Sequence, residues 1–263
     1  MHWILQNNLF HETGWQALRD ALQRFDLPFS EHKVIPFVGE LLPPPQVTHQ
    51  NVICFGAYSM RHVARRFGWN PGVFDLAGYE FDTQRAHWGA HMLNADSQVQ
   101  AIGEADFFAD ELFLRPVDDS KGFAGQVMTR EAFETWRETL RQAGELDPSG
   151  LNLQSLIQLA RPKKVYAEFR FWIVKGEIIT QSMYKRGSVV QYAPLADQRL
   201  HAFVRQMIAL WLPLETLVLD VCDTAEGIKI VEINTMNAAG FYAADMQKLV
   251  LALHAAYDQG LDG

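Results

Sequence analysis

Residues 217–234, LVLDVCDTAEGIKIVEIN, decide how this chain is read. Two apolar segments flank a short turn of Asp, Thr, Ala, Glu and Gly, which predicts a β-hairpin. Side chains alternate faces along a strand. With the strands paired symmetrically about Ala225, Asp220, Glu232 and Asn234 fall on one face, and Leu219, Val221, Val231 and Ile233 fill the other. Three oxygen-bearing side chains thus converge on a segment otherwise built to be buried. On an arbitrary antiparallel hairpin such a face is simply solvated. Oxygen donors of this kind also suit a hard cation such as Mg²⁺, often one shared with substrate phosphates.

The bulk composition narrows the classes. A chain of 263 residues can bury a large core and hold one or two domains. Its 48% hydrophobic and 21% charged residues are ordinary for a globular protein and exclude disordered and fibrous classes. A formal net charge of −8 argues against broad nucleic-acid binding, which needs a basic surface. Cys54 and Cys222 both sit in apolar, strand-like runs and read as buried thiols of a reducing compartment. The start lacks the basic and long apolar regions of a signal peptide, and no window has the apolar length of a membrane span. A soluble cytoplasmic protein with no membrane partner is expected.

Hydrophobic periodicity predicts an α/β chain. Residues 2–6, 29–36 and 51–55 read as strands, and residues 12–25 and 58–67 as helices. Trp15, Leu18, Leu22 and Phe25 form one stripe of the first helix. The connector LLPPPQ is rigid. This is the composition of a small leading α/β layer, residues 1–82. Beyond it, strands are expected at 99–104, 111–117, 126–128, 153–159, 165–174 and 177–184. Helices are expected at 84–93, 129–143, 197–211 and 243–257. Lys175-Gly176 is a tight hairpin turn.

Two further stretches carry chemistry. In ELFLRPVDDSKGFAGQVM, residues 111–128, a strand delivers Arg115 and a loop follows with Asp118, Asp119, Ser120, Lys121, Gly122 and Gly125. Two cations beside a glycine-bearing loop can clamp a polyphosphate. Neither the Walker A spacing nor a Rossmann fingerprint is present, and an exposed polar hairpin has the same composition. In VYAEFRFWIV, residues 165–174, Glu168 and Arg170 share one face. Charges on a central strand are costly unless they are paired across strands or used by a ligand. His87 and His91 are four apart, but HWGAH lacks the glutamate of H-E-x-x-H and reads as a helix face.

Taken in order, these segments resemble the ATP-grasp superfamily, in which two α+β lobes follow a small α/β domain. The resemblance covers residues 83–263, with an N-lobe of about 83–157 and a C-lobe of about 158–263. The motifs RPVDDSKGFAG and AEFRFWIV resemble a divergent clade with an arginine in place of the first phosphate-binding lysine. That clade includes bacterial and phage proteins and the eukaryotic protein that assembles initiation factor two.

The resemblance implies roles position by position. Arg115 and Lys121 are expected on the ATP phosphates, and Gln158, Leu159 and Ala160 at the hinge whose backbone reads adenine. Glu168 would accept from the ribose hydroxyls. Arg170 would reach the γ-phosphate, and Asp220, Glu232 and Asn234 would hold Mg²⁺. Around the acceptor, Tyr184, Arg186, Asn237, Gly240 and Tyr242 are substrate candidates. Two departures are visible. Val218 stands where many of these ligases carry an arginine, and Asn237-Ala238-Ala239-Gly240 replaces a Pro-Gly. The expected activity is ADP-forming ligation of a carboxylate to an amine or thiol, on a peptide or protein among other substrates. The alternative is an ATP-binding assembly factor without ligation.

Overall fold

The computed structural model describes residues 1–9, 14–35, 39–117, 125–143, 150–194 and 197–258. The chain forms two compact units, one from Met1–Ala77 with Val165–Gly263 and the other from Gly78–Lys164.

The larger unit contains two sheets. In the first, β1 (His2–Gln6) lies between β2 (Phe29–Ile35) and β4 (Asn51–Phe55), both parallel to it. β5 (Asn70–Gly72) extends the sheet parallel to β4, and β3 (Glu40–Leu42) pairs antiparallel with β2. The apolar runs WIL and VICF are buried as parallel strands covered on both faces require. One face packs against α1 (Trp15–Arg24) through Leu18, Ala21 and Leu22. The other meets Met60, Val63 and Ala64 of α2 (Met60–Phe67). The expected stripe on α1 is real, with Trp15 and Phe25 packed at its margin. Strands β3 and β5 were not anticipated. Both are three residues long, too short to carry a period.

The second sheet is antiparallel. Its elements are β10 (Val165–Val174), β11 (Glu177–Arg186), β12 (Val189–Pro194), β13 (Leu217–Thr224) and β14 (Gly227–Asn234), ordered β12-β11-β10-β13-β14. Lys175 and Gly176 both have positive φ, as the predicted tight turn between β10 and β11 demands. α5 (Gln198–Leu210) begins at Asp197, whose side chain accepts from the Arg199 N–H. Its His201 ring meets Phe171 edge-on at 5.5 Å. α6 (Met246–Tyr257) begins at Asp245, which accepts from the Lys248 N–H.

One apolar core joins the two sheets of this unit. Trp3, Leu5 and Phe55 from the first sheet pack with Trp172, Val174 and Val218 from the second and with Leu249, Val250 and Leu253 of α6. The segment after β14 plugs into it. Phe241, 1% exposed, lies 5.9 Å from both Trp15 and Phe55. Gly14 is required beside it, because a Cβ there would meet the Phe241 Cβ at 2.8 Å and its φ is +89°.

The smaller unit holds one antiparallel sheet, β6-β9-β7-β8, of β6 (Gln98–Ala101), β7 (Glu111–Pro116), β8 (Gln126–Thr129) and β9 (Leu156–Ala160). Phe133 and Leu140 of α4 (Arg130–Ala143) pack with Leu112, Leu114, Ile157 and Leu159. α3 (Phe81–Trp88) precedes the sheet and ends in a single 3₁₀ turn at Gly89–His91. Among the described residues, no helix is long and apolar enough to cross a membrane.

Candidate functional site

Strand register builds the site. β10 pairs with β13 so that Arg170 lies opposite Asp220, and β13 pairs with β14 so that Asp220 lies opposite Glu232. Three charged residues thus form one row across three neighbouring strands. The next row is Trp172, Val218 and Asn234.

This alignment depends on a bulge. The hairpin closes with Thr224 opposite Gly227, a two-residue turn rather than a turn centred on Ala225. Continued without a break, that register would place Asp220 opposite Val231 and turn Glu232 to the other face, because side-chain direction has period two. The register shifts between Asp220 and Val221, so Val231 is the extra residue and Glu232 returns to the Asp220 face.

The row is tied together. The Arg170 Nε and Nη2 donate to the two Asp220 carboxylate oxygens at 2.8 and 2.7 Å, and Nη1 donates to the Gly240 carbonyl at 3.2 Å. Arg170 and Asp220 are 6% and 1% exposed. The Asn234 amide donates to Asp220 and Glu232, both at 3.2 Å. Beside them, Glu168 accepts from the Tyr184 hydroxyl at 2.9 Å and pairs with Lys185 at 2.8 Å. Glu168 and Arg170 are each in a cross-strand pair.

Burial opposes the charge on Arg170, but the Asp220 carboxylate and its hydrogen bonds outweigh that and hold the guanidinium pKa above its ordinary value. Burial pushes the Asp220 carboxyl up, Glu232 and Glu168 push it the same way, and Arg170 pulls it down. An arginine does not give up its proton, so the two short parallel bonds describe an ion pair. The Tyr184 hydroxyl is raised, first by burial and then by Asp220 and Glu168.

Aromatic rings wall the row. Tyr184 stacks on Tyr242 at 5.1 Å, and Tyr242 on Tyr192 at 4.9 Å. The Arg170 guanidinium lies 4.8 Å from the Tyr242 ring centre and 5.6 Å from that of Tyr184. Tyr242 has φ +51°, a strained backbone for an aromatic residue, set where the loop turns its ring over the arginine.

Asp220, Glu232 and Asn234 are thus brought together as expected, on one face. Two carboxylates and a carboxamide are donors of the kind a hard divalent cation takes. A carboxylate has about four acceptor sites, of which Arg170 and Asn234 take three on Asp220. The donor set therefore fits a cation without breaking the ion pair. Among the described residues no group of three or more His, Cys, Asp or Glu converges, so the carboxamide is essential to the set.

The remaining predicted residues divide. Gly240 contributes its carbonyl to Arg170. Asn237 is 3% exposed, and its carboxamide is used by backbone: it donates to the Cys54 and Gly72 carbonyls and accepts from Phe74 N–H at 2.7 Å. It positions the loop, with no side-chain polar atom left to meet a substrate. Arg186 lies opposite Ala167 and beside Phe169 and Met183, on the reverse of the sheet from the row. In the smaller unit Arg115 on β7 pairs with Gln158 on β9. Gln158 is 2% exposed, and its Oε1 has no hydrogen-bond partner among the described residues. Leu159 and Ala160 follow it, buried. Lys121 and its neighbours 118–124 lie outside the described residues. Sequence reasoning missed Tyr192, because the strand that carries it, VVQYAP, alternates too poorly to be read. It also missed Lys185 as the partner of Glu168, since a bulge at Tyr184 sets that pairing.

A family model of the ATP-grasp domain, family 3 of the R-to-K clade, matches residues 59–253. No curated protein matches the chain. Among solved structures, the D-cycloserine synthetase DcsG superposes with a TM-score of 0.62 at 16% identity, covering 97% of this chain and 99% of that one. A RimK domain ATP-grasp protein from Sphaerobacter thermophilus gives 0.60 at 14% identity, with 97% and 95% covered. The ATP-grasp ligase PsnB, complexed with its precursor peptide and AMPPNP, gives 0.55 at 12% identity, with 97% of each chain covered. At such identities these likenesses establish the fold.

Proposed function

The chain belongs to the R-to-K clade of the ATP-grasp family, and on that premise we propose that it is an ADP-forming ligase that joins a carboxylate to an amine or thiol through an acyl phosphate, using ATP and Mg²⁺. The observation that carries the proposal is the row Arg170–Asp220–Glu232 with Asn234 beside it. Mg²⁺ on Asp220, Glu232 and Asn234 would neutralise the ATP phosphates. Arg170, held charged by Asp220, would present positive charge to the transferring phosphoryl group. Such transfer is mostly positioning and electrostatic stabilisation.

Glu168 would take the ribose hydroxyls, and Lys185 would keep its carboxylate ionised and oriented. From the smaller unit, Arg115 and Lys121 would hold phosphate oxygens. The buried Gln158 Oε1 is a ready acceptor for the adenine amino group. Leu159 and Ala160 would contribute backbone. The tyrosine wall and the Gly240–Tyr242 loop would border the acceptor, for which a peptide is the leading class, because PsnB binds one. Arg61, stacked on Tyr58 at 3.8 Å, is a further cation for a substrate carboxylate.

A second reading rests on one specific observation. Nε, Nη1 and Nη2 of Arg170 are all engaged within the chain, as an assembly factor that binds ATP without transferring phosphate would require. The test is ADP and AMP detection with a panel of carboxylates, amines and short peptides. ADP release that needs both a carboxylate and an amine supports the ligase. Mg²⁺·ATP binding with no substrate-dependent ADP release supports the assembly factor.

A further inference from the structure

A second cavity, of about 340 Å³, opens on the face of the β12-β11-β10-β13-β14 sheet that is turned away from the carboxylate row. Its floor is apolar: Phe169 and Met183 are opposite one another in the register, with Ala193 next along. Ala167 lies opposite Arg186 on one side and Asp223 on the other. These two charged residues therefore flank the cavity from strands on either side of β10. The residues of the floor alternate with Glu168 and Arg170, so a molecule held here is not at the row.

The charges at the rim are unequally satisfied. Arg199 bonds Asp197 at 2.9 Å and stands 4.0 Å from Asp223. Arg186 makes no ion pair with any described residue. Its Nη2 rests on the Met183 sulfur at 3.7 Å, which lays the guanidinium along the apolar floor. The rim thus offers one cation without a carboxylate and, across Ala167, one carboxylate held only at long range.

We propose that this cavity binds a free apolar α-amino acid. The ligand carboxylate meets Arg186, its ammonium meets Asp223, and its side chain covers Phe169 and Met183. The volume is within the range of small-ligand pockets, and an apolar body fixed by a few polar groups is their usual chemistry. The row of charges on the sheet's other face is not needed for this site. The proposal therefore stands apart from the ligase reading.

The test is titration of the full chain with L-leucine, without nucleotide, followed by ¹H–¹⁵N correlation spectra and calorimetry. Saturable shifts are expected at Ala167, Arg186, Ala193 and Asp223. N-acetylleucine, which lacks the ammonium, and leucinamide, which lacks the carboxylate, should each bind about tenfold or more weakly, as loss of a charge-assisted hydrogen bond implies. Arg186→Gln should weaken leucine by a similar factor with an unchanged melting temperature, because the side chain is exposed. Ala193→Leu should fill the cavity and abolish the shifts. Absence of binding at millimolar leucine overturns the proposal. So does equal binding of N-acetylleucine or leucinamide, or an Arg186→Gln variant that binds as the native chain does.

Discussion

Arg170 and Asp220 carry the largest electrostatic stake of any pair described in the molecule. Both are nearly inaccessible, and among the described residues each is the other's only counter-ion. Removing one partner strands a buried charge, which costs about 3–5 kcal/mol, whereas replacing both by apolar groups is often near neutral. Arg170→Met and Asp220→Leu should each lower unfolding stability by that amount in urea titration, and the double variant should recover most of it. Additive losses in the double variant would show that the two side chains are not coupled. His2 is a second residue with a readable signature. Its pKa is lowered from 6.5 to about 4, first by burial and then by the positive charges of His49, His32 and the N-terminus. Between those values the unfolded chain binds a proton that the folded chain does not, so stability should fall as pH drops from 6.5 and level off near 4. His2→Gln should flatten the melting temperature across that window. An unchanged pH profile would show that His2 titrates normally.

Among elements, the segment between β14 and α6 shows how the fold serves the site. Phe241 enters the core, Asn237 ties the backbone to the ends of β4 and β5, and Gly240 then meets Arg170. Asn237→Ala would leave the Phe74 N–H and the Cys54 carbonyl buried without partners, at about 1–3 kcal/mol. Urea titration should show that loss, and Asn237→Asp should not restore it, since a carboxylate cannot donate to the two carbonyls. This tie was not legible in the sequence. It joins residues 183 positions apart, and NAAGFY has no period to read. The long amphipathic and apolar segments were legible: Asn51–Phe55 and Val165–Val174 have the expected bounds, because their patterns are continuous. The Asp220, Glu232 and Asn234 face was legible in membership but not in cause. Its alignment comes from a two-residue turn plus the bulge at Val231, and alternation alone fixes neither. The identity of Asp220 as the Arg170 counter-ion was hidden for a related reason, since pairing between β10 and β13 spans a helix and another hairpin.

At the scale of the whole molecule, a chain of net charge −8 must gather enough positive potential to hold a polyphosphate. A metal on the carboxylate row is the most economical source, and it makes ligand-induced stability a direct readout. Glu232→Gln keeps the shape and removes one repulsive charge near Asp220, so the ligand-free melting temperature should change little. Stabilisation by Mg²⁺·ATP should drop sharply, because it follows affinity. A variant that unfolds without ligand while Asn234→Ala binds ATP normally would make the face structural. The chemistry itself rests on Arg170. Truncating it removes the counter-ion of a buried carboxylate, so loss of activity in Arg170→Ala would not separate transfer from folding. Arg170→Lys keeps the charge and gives up only the bidentate geometry. If the chain transfers phosphate, Arg170 acts where charge develops, and the lysine variant should lose about a hundredfold or more in kcat. Its affinity for Mg²⁺·ATP should stay within a few-fold of native, the signature of an interaction made mainly in the transition state. Equal losses in affinity and turnover would place Arg170 in ground-state binding alone. A native chain that binds Mg²⁺·ATP and turns over no carboxylate–amine pair would move the assignment to the assembly factor.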